Sequence, residues 1–130
     1  MSLEIGDKVV QIGNGPKVFD LDEANRILPL IHKITEDTDK VVARLSRHLE
    51  ISNHFDSLLS QKIKKEIDTT IEGWFAKIEK LGGTPKGIWL VDFDFGQGYY
   101  CWKYPELEIR HWHLHSEGFL GRKVLGPSLI

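Results

Sequence analysis

The sequence predicts an α+β fold, a long antiparallel two-helix hairpin packed on a three-stranded antiparallel sheet. From Asp20 to Leu81 apolar residues recur every three or four positions, the period of a helix with one buried stripe. From Gly87 to His113 they recur every second position, the period of strands. Gly82, Gly83 and Pro85 stand where the period changes; glycine closes a helix in the left-handed conformation and proline cannot continue it.

Length and charge narrow the range of functions. A chain of 130 residues suits one domain, able to bury roughly 65 to 70 % of its unfolded surface. Its organisation reads as an arm or edge strand over 1–19, a helical hairpin over 20–81, a three-stranded sheet over 87–113 and a loop and tail over 114–130. With 17 basic and 19 acidic residues the net charge is −2, which provides no electrostatic footprint for nucleic acid or an anionic membrane. Cys101 is the single cysteine, so no internal disulfide is possible. No apolar run is long enough for a membrane span or signal peptide, and a cytoplasmic protein is expected.

In chain order, Val9, Val10 and Ile12 precede a break at Asn14, Gly15 and Pro16. Asp20 can cap the first helix, with Glu23 completing a capping box and Phe19 stapling onto Ala24. The helix is expected from Leu21 to about Leu49, bent near Asn25 to Pro29 because an interior proline removes a donor and clashes with the preceding turn. Glu50 to His54 is polar enough to turn, with Ser52 or Asn53 as cap. A second stripe follows, with Phe55, Leu59, Ile63, Ile67, Ile71, Trp74, Ile78 and Leu81. Each helix would be about 40 Å long at 1.5 Å per residue. Two such helices cannot bury both stripes on each other, so the sheet, or a second copy in a helix-mediated homodimer, must cover the remainder.

Three strands are expected at Ile88–Phe95, Tyr99–Tyr104 and Leu107–His113. A two-residue turn at Gly96-Gln97 pairs Asp92 with Cys101. A three-residue loop at Pro105 to Leu107 then pairs Cys101 with His111, placing Trp89, Val91, Phe93, Tyr100, Trp102 and Trp112 on one core face. The other face carries Asp92, Asp94, Tyr99, Cys101, Lys103, Ile109, His111 and His113. A one-residue slip would reverse Trp112 and its neighbours, and the chosen register is the one that segregates polarity.

That polar face holds the candidate chemistry. His111 and His113, two apart on a strand, sit about 7 Å apart at Cα. With Cys101 and Asp92 in the same row they form a candidate site for zinc or another transition metal. The commoner reading of such histidines is solvation or hydrogen bonding. Cys101 beside a histidine also suggests a nucleophile, but Asp92 across the ladder opposes a thiolate, and a buried structural thiol is the better fit. In the loop SEGFLGR, Arg122 could clamp a small anionic ligand bidentately, with Glu117 and Tyr99 beside it; alternatively it ties the loop to Glu106, Glu108 or Glu117.

The chain also resembles an uncharacterised prokaryotic family, domain of unknown function 2203, over about residues 19 to 125. The resemblance is carried by Phe19, Glu23, Ala24, Asn25, Leu28 and Pro29, then by Gly87, Asp92, Phe93, Cys101, Trp102, Trp112, His113, Gly118, Phe119, Gly121 and Arg122. Asp94 replaces the family's proline, and His111 and His115 stand where the family has no fixed histidine. The resemblance therefore implies Asp92, Cys101, His113 and Arg122 as shared candidates. It implies no reaction.

Three functions are consistent with this reading. The first is a non-enzymatic binding module whose sheet face and Arg122 loop hold a small anionic ligand, a metal ion or a protein partner. The second is a self-assembling helical-hairpin scaffold, and the third a metal-dependent hydrolase using Asp92, Cys101 and His113.

Overall fold

The computed structural model of the chain describes residues 17–126 and, as backbone strands, 2–5 and 8–11. Strands β1 (Ser2–Ile5) and β2 (Lys8–Gln11) pair antiparallel in a ladder of their own, so the expected edge strand does not join the main sheet. Ile12 and the break at Asn14 to Pro16 lie outside the described residues, as do residues 127–130 of the expected tail.

Helix α1 runs unbroken from Leu21 to Ser52 with Pro29 inside it. Its start is the predicted capping box: the Asp20 carboxylate accepts the Glu23 N–H at 2.8 Å, and the Glu23 side chain accepts the Asp20 N–H at 3.0 Å. The reciprocal bonds satisfy two of the donors that a helix start leaves free. The helix outlasts the predicted end by three residues because Ser52 caps no new helix; its hydroxyl turns back to the Leu49 carbonyl. Asp56 is the cap instead, accepting from Leu59 N–H at 3.0 Å to begin α2 (Ser57–Lys80). Leu81 and Gly82 close α2, with Gly82 at φ +93°.

The main sheet has five strands in the order β3-β4-β5-β6-β7, all antiparallel: β3 (Thr84–Gly87), β4 (Leu90–Asp94), β5 (Tyr99–Lys103), β6 (His111–His113) and β7 (Lys123–Val124). Three of these are the predicted strands, shortened. The two extra ones are edges: β3 contains Pro85, which an edge tolerates, and β7 is only two residues long. The register is the expected one, with Asp92 opposite Cys101 and Cys101 opposite His111. The second connection is longer than three residues, since β6 begins only at His111. Asn25 on α1 explains why: its side-chain oxygen accepts the Ile109 N–H at 3.0 Å. Ile109 is thereby drawn into the core, 4 % exposed, rather than onto the polar face.

Helices and sheet share one core. Ala24, Leu28 and Ile31 of α1, Trp74 and Ile78 of α2, and Val91, Phe93 and Trp102 of the sheet meet there. Polar groups of α1 and α2 are paired inside it, as burial favours: Trp74 Nε1 donates to Thr35 Oγ1 at 2.8 Å, and that hydroxyl donates to the Ile31 carbonyl. Trp89 lies in the β3–β4 turn at φ +61°, outside the strand alternation, yet its ring meets Trp74 edge-on at 5.0 Å and its indole N–H reaches Asp39. Trp112, opposite Tyr100, keeps the expected face but lies at its rim, half-buried beside Phe95 with Lys123 Nζ over its ring.

Candidate metal centre

The centre of the sheet face turned away from the helices is not solvated. Asp92, Cys101 and His113, from three adjacent strands, are 1 %, 0 % and 1 % exposed. The ladder brings them together, because Asp92 opposes Cys101 on β5 while His113 lies two residues along β6 from Cys101's partner. The segment after β6 covers them. Arg122 lies near enough to bear on the Cys101 thiol, and the charges of Glu117 and His113 act on each other.

A carboxylate oxygen, a sulfur and an imidazole nitrogen from these residues all lie within 4.8 Å of one another. His113 Nε2 is 3.0 Å from Asp92 Oδ2, and His113 Nδ1 is 2.9 Å from the Leu114 carbonyl. A carbonyl only accepts, so Nδ1 carries the proton and Nε2 points toward Asp92. One further proton then lies between Asp92 and His113. Asp92 Oδ1, also buried, has no hydrogen-bond partner, and a bare buried acceptor is costly.

Protonation follows from this setting. Burial pushes the Asp92 carboxyl above its ordinary range, against the opposing pull of His113. Burial and the neighbouring Asp92 push the Cys101 thiol up to about 12, so the sulfur stays protonated and is a poor nucleophile. The thiol is buried, as the preferred sequence reading has it, and the alternative nucleophilic pairing of Cys101 with histidine has no activated thiol to work with.

The other sequence candidates form a second group beside the first. Arg122 donates to both oxygens of Glu106, at 3.2 and 2.7 Å. Its guanidinium lies 4.4 Å from the Phe119 ring centre. Glu106 is fixed further by Lys103 N–H at 2.8 Å, and its carbonyl accepts the Trp102 indole N–H at 2.7 Å. Burial raises the Glu106 carboxyl, but Arg122 and the Lys103 N–H outweigh it and hold it below its usual value. Arg122 is thus the loop tie that sequence reasoning offered beside the anion clamp, with Glu106 as partner. His111 belongs to this group, its Nδ1 3.9 Å from Glu106 Oε2, and not to the Asp92 cluster. Glu117 accepts from the Leu114 N–H and Lys123. Tyr99 lies 5.5 Å from the His113 ring, with Lys86 Nζ 4.8 Å from its own.

A cleft of about 540 Å³ opens beside the second group, lined by Pro105, Glu106, Leu107, Glu108, Arg110 and His111. Two carboxylates, Glu106 and Glu108, face one guanidinium, Arg110, so it does not favour an anion. Two contributors escaped the sequence reading: the Leu114 carbonyl, which no side-chain pattern reveals, and Asn25, whose place in the helix-start motif was visible but whose partner, Ile109, is 84 residues away.

No helix among the described residues is long and apolar enough to cross a membrane. No curated protein and no solved structure shows a significant match to the chain. A family model described as "Uncharacterized conserved protein (DUF2203)" matches residues 17–125. That span takes in both helices and all five strands of the main sheet, from the Phe19 staple to the arginine that grips Glu106, and the chain belongs to this family.

Proposed function

We propose that the protein is a binding module whose site is the buried Asp92, Cys101 and His113 cluster, and that the ligand is a divalent transition ion of the zinc class. The observation that carries this reading is a set of three different donor atoms within 4.8 Å, with one carboxylate oxygen unpartnered. Tetrahedral zinc holds its ligand atoms roughly 3.3 to 3.8 Å apart, so the widest-spaced donors would close by at most about 1 Å, while His113 Nε2 and Asp92 Oδ2, now at 3.0 Å, would open slightly. The Leu114 carbonyl already fixes the His113 tautomer that leaves Nε2 free, the usual outer support of a metal-bound imidazole.

Charge accounting supports a divalent ion. Without metal, the cluster holds the Asp92–His113 pair with its shared proton and a neutral thiol, a net charge of zero. Binding expels the shared proton and the thiol proton while two positive charges enter, and the net charge is again zero. Burial therefore costs the metal-bound form no unbalanced charge, whereas a monovalent ion held by the same deprotonated donors would leave one negative charge. Deep burial and the protonated thiol favour retention over turnover, so the binding-module reading stands ahead of a hydrolase. The anionic-ligand reading is weaker, because Glu106 occupies the Arg122 fork.

Cobalt(II) titration followed by absorbance tests the proposal. One cobalt per chain is expected, with a sulfur-to-cobalt charge-transfer band and release of two protons per ion. The band should vanish in Cys101→Ser, which keeps the side chain's size. Elemental analysis of protein purified without chelator or histidine tag should find about one transition metal per chain. Metal-free protein that develops no thiolate band with cobalt would leave the triad as a purely hydrogen-bonded device that pins the strand register.

A further inference from the structure

The tip of the helical hairpin presents an apolar surface that the fold does not use. Phe55 is 83 % and Leu58 73 % exposed, with Ile51 and Leu59 also open to solvent. Large apolar side chains grouped in this way mark interaction surfaces. The tip is also rigidly built. The Ser52 and Ser60 hydroxyls meet at 2.9 Å, buried between the helices, the Asp56 cap is made, and Asn53 and Asp56 N–H groups reach the carbonyls of Leu49 and Ser52. The apolar groups are held outward and cannot fold under.

A groove of about 550 Å³ runs below the tip, floored by Leu45 and Ile63 and reaching Ile51, Phe55 and Leu59. Arg44 borders it from α1 and Glu66 from α2. Neither has an ion-pair partner among the described residues. They lie at equal height, about ten residues on either side of the turn. We infer that this face docks against the same face of a second copy, with a two-fold axis along the hairpin that sets α1 of one protomer against α2 of its partner. Each Arg44 then meets the partner's Glu66, and the two hairpins form a four-helix bundle in which the open stripes cover each other. A face that carries both signs in this arrangement complements itself, whereas a uniformly charged partner would leave one sign opposed. The inference is independent of the metal reading.

Sedimentation equilibrium of the full chain tests it. The wild type should sediment at twice 14.9 kDa at micromolar concentration, and Phe55→Asp at the single-chain mass with unchanged helical circular dichroism. Arg44→Glu should weaken association about tenfold, and adding Glu66→Arg should restore it, because only a symmetric pairing recovers when both charges are exchanged. A monomeric wild type would overturn the inference, as would a dimer that survives Phe55→Asp. Failure of the charge exchange to rescue would overturn the two-fold pairing.

Discussion

The two ends of the molecule make opposite arrangements with the same chemical alphabet. At the sheet end polar groups are buried: Asp92, His113 and Cys101 lie under the C-terminal segment, with Arg122 and Glu106 paired beside them. At the hairpin tip the apolar groups Ile51, Phe55, Leu58 and Leu59 are open to water. The difference is one of layers. Near the sheet the helices have a second layer, and the segment after β6 lies over its far side, enough to bury Asp92 of β4 and Cys101 of β5. The shared core, however, involves α1 no further than Ile34 and α2 only from Trp74 onward. Past Asp39, which the Trp89 indole reaches, roughly 20 Å of α1 at 1.5 Å per residue has only α2 beside it, and two helices cannot cover two stripes.

The contrast breaks most sharply on removal of a residue that serves both faces of the sheet end. Trp102 is fully buried in the core and its indole N–H holds the Glu106 carbonyl. Trp102→Ala should cost about 3 to 5 kcal/mol, read as a lower urea midpoint, and should also release the loop carrying Glu106. Phe55→Ala, at the tip, should leave the unfolding of the isolated chain within about 0.5 kcal/mol of wild type. Equal costs at the two sites would mean that the tip shares the core's cooperativity.

Much of the sheet end was legible in the sequence, for reasons that also explain what was not. The capping box at Asp20 and Glu23 and the pairing of Asp92 with Cys101 and Cys101 with His111 are local: a cap reads four residues, and a register follows from a two-residue turn and segregated polarity. Strand β3 was hidden because Pro85 and two glycines signal a break, which an edge strand tolerates. Ile109 was misplaced because period-2 reasoning assumes an extended chain, and Asn25 on a distant helix bends this one inward. Whether the polar face is open or covered was not legible because its cover, the segment carrying Glu117 and Arg122, pairs through only two residues of β7, too few for a pattern. The same rule that placed the donors on one face could not tell whether that face was wet.

The Arg122–Glu106 pair allows a test of intermediate size, sharpened by pH. Arg122→Ala removes a bidentate, mostly buried contact and should cost about 1.5 to 3 kcal/mol near neutrality. The Glu106 carboxyl titrates below its ordinary range in the folded chain, held down by Arg122 and the Lys103 N–H against the effect of burial. A depressed carboxylate contributes stability that is fully present above the unfolded value and lost as pH falls through the folded one. The stability difference between wild type and Arg122→Ala should therefore hold steady above about pH 4.5 and narrow below it. Asp92 shifts the other way, but it is present in both proteins and largely cancels. A difference that grew with acidity would show that Arg122 acts through some group other than Glu106.

The smallest effect belongs to the tip, where the question is whether local order is separable from the core. The Ser52 hydroxyl has the Leu49 carbonyl within reach, and Ser60 has that of Asp56, as well as each other. Deleting either hydroxyl leaves its partner an acceptor, so Ser52→Ala and Ser60→Ala should each cost only about 1 kcal/mol. The double variant should cost less than the sum, since the shared bond is lost only once. The loss should be visible in faster hydrogen exchange of the Asn53 and Asp56 amides, under conditions where the Phe93 and Trp102 amides keep their protection. If Ser52→Ala instead accelerated exchange equally at both ends, the tip would be an extension of the core, and its exposed apolar face would have to be explained as part of one cooperative unit.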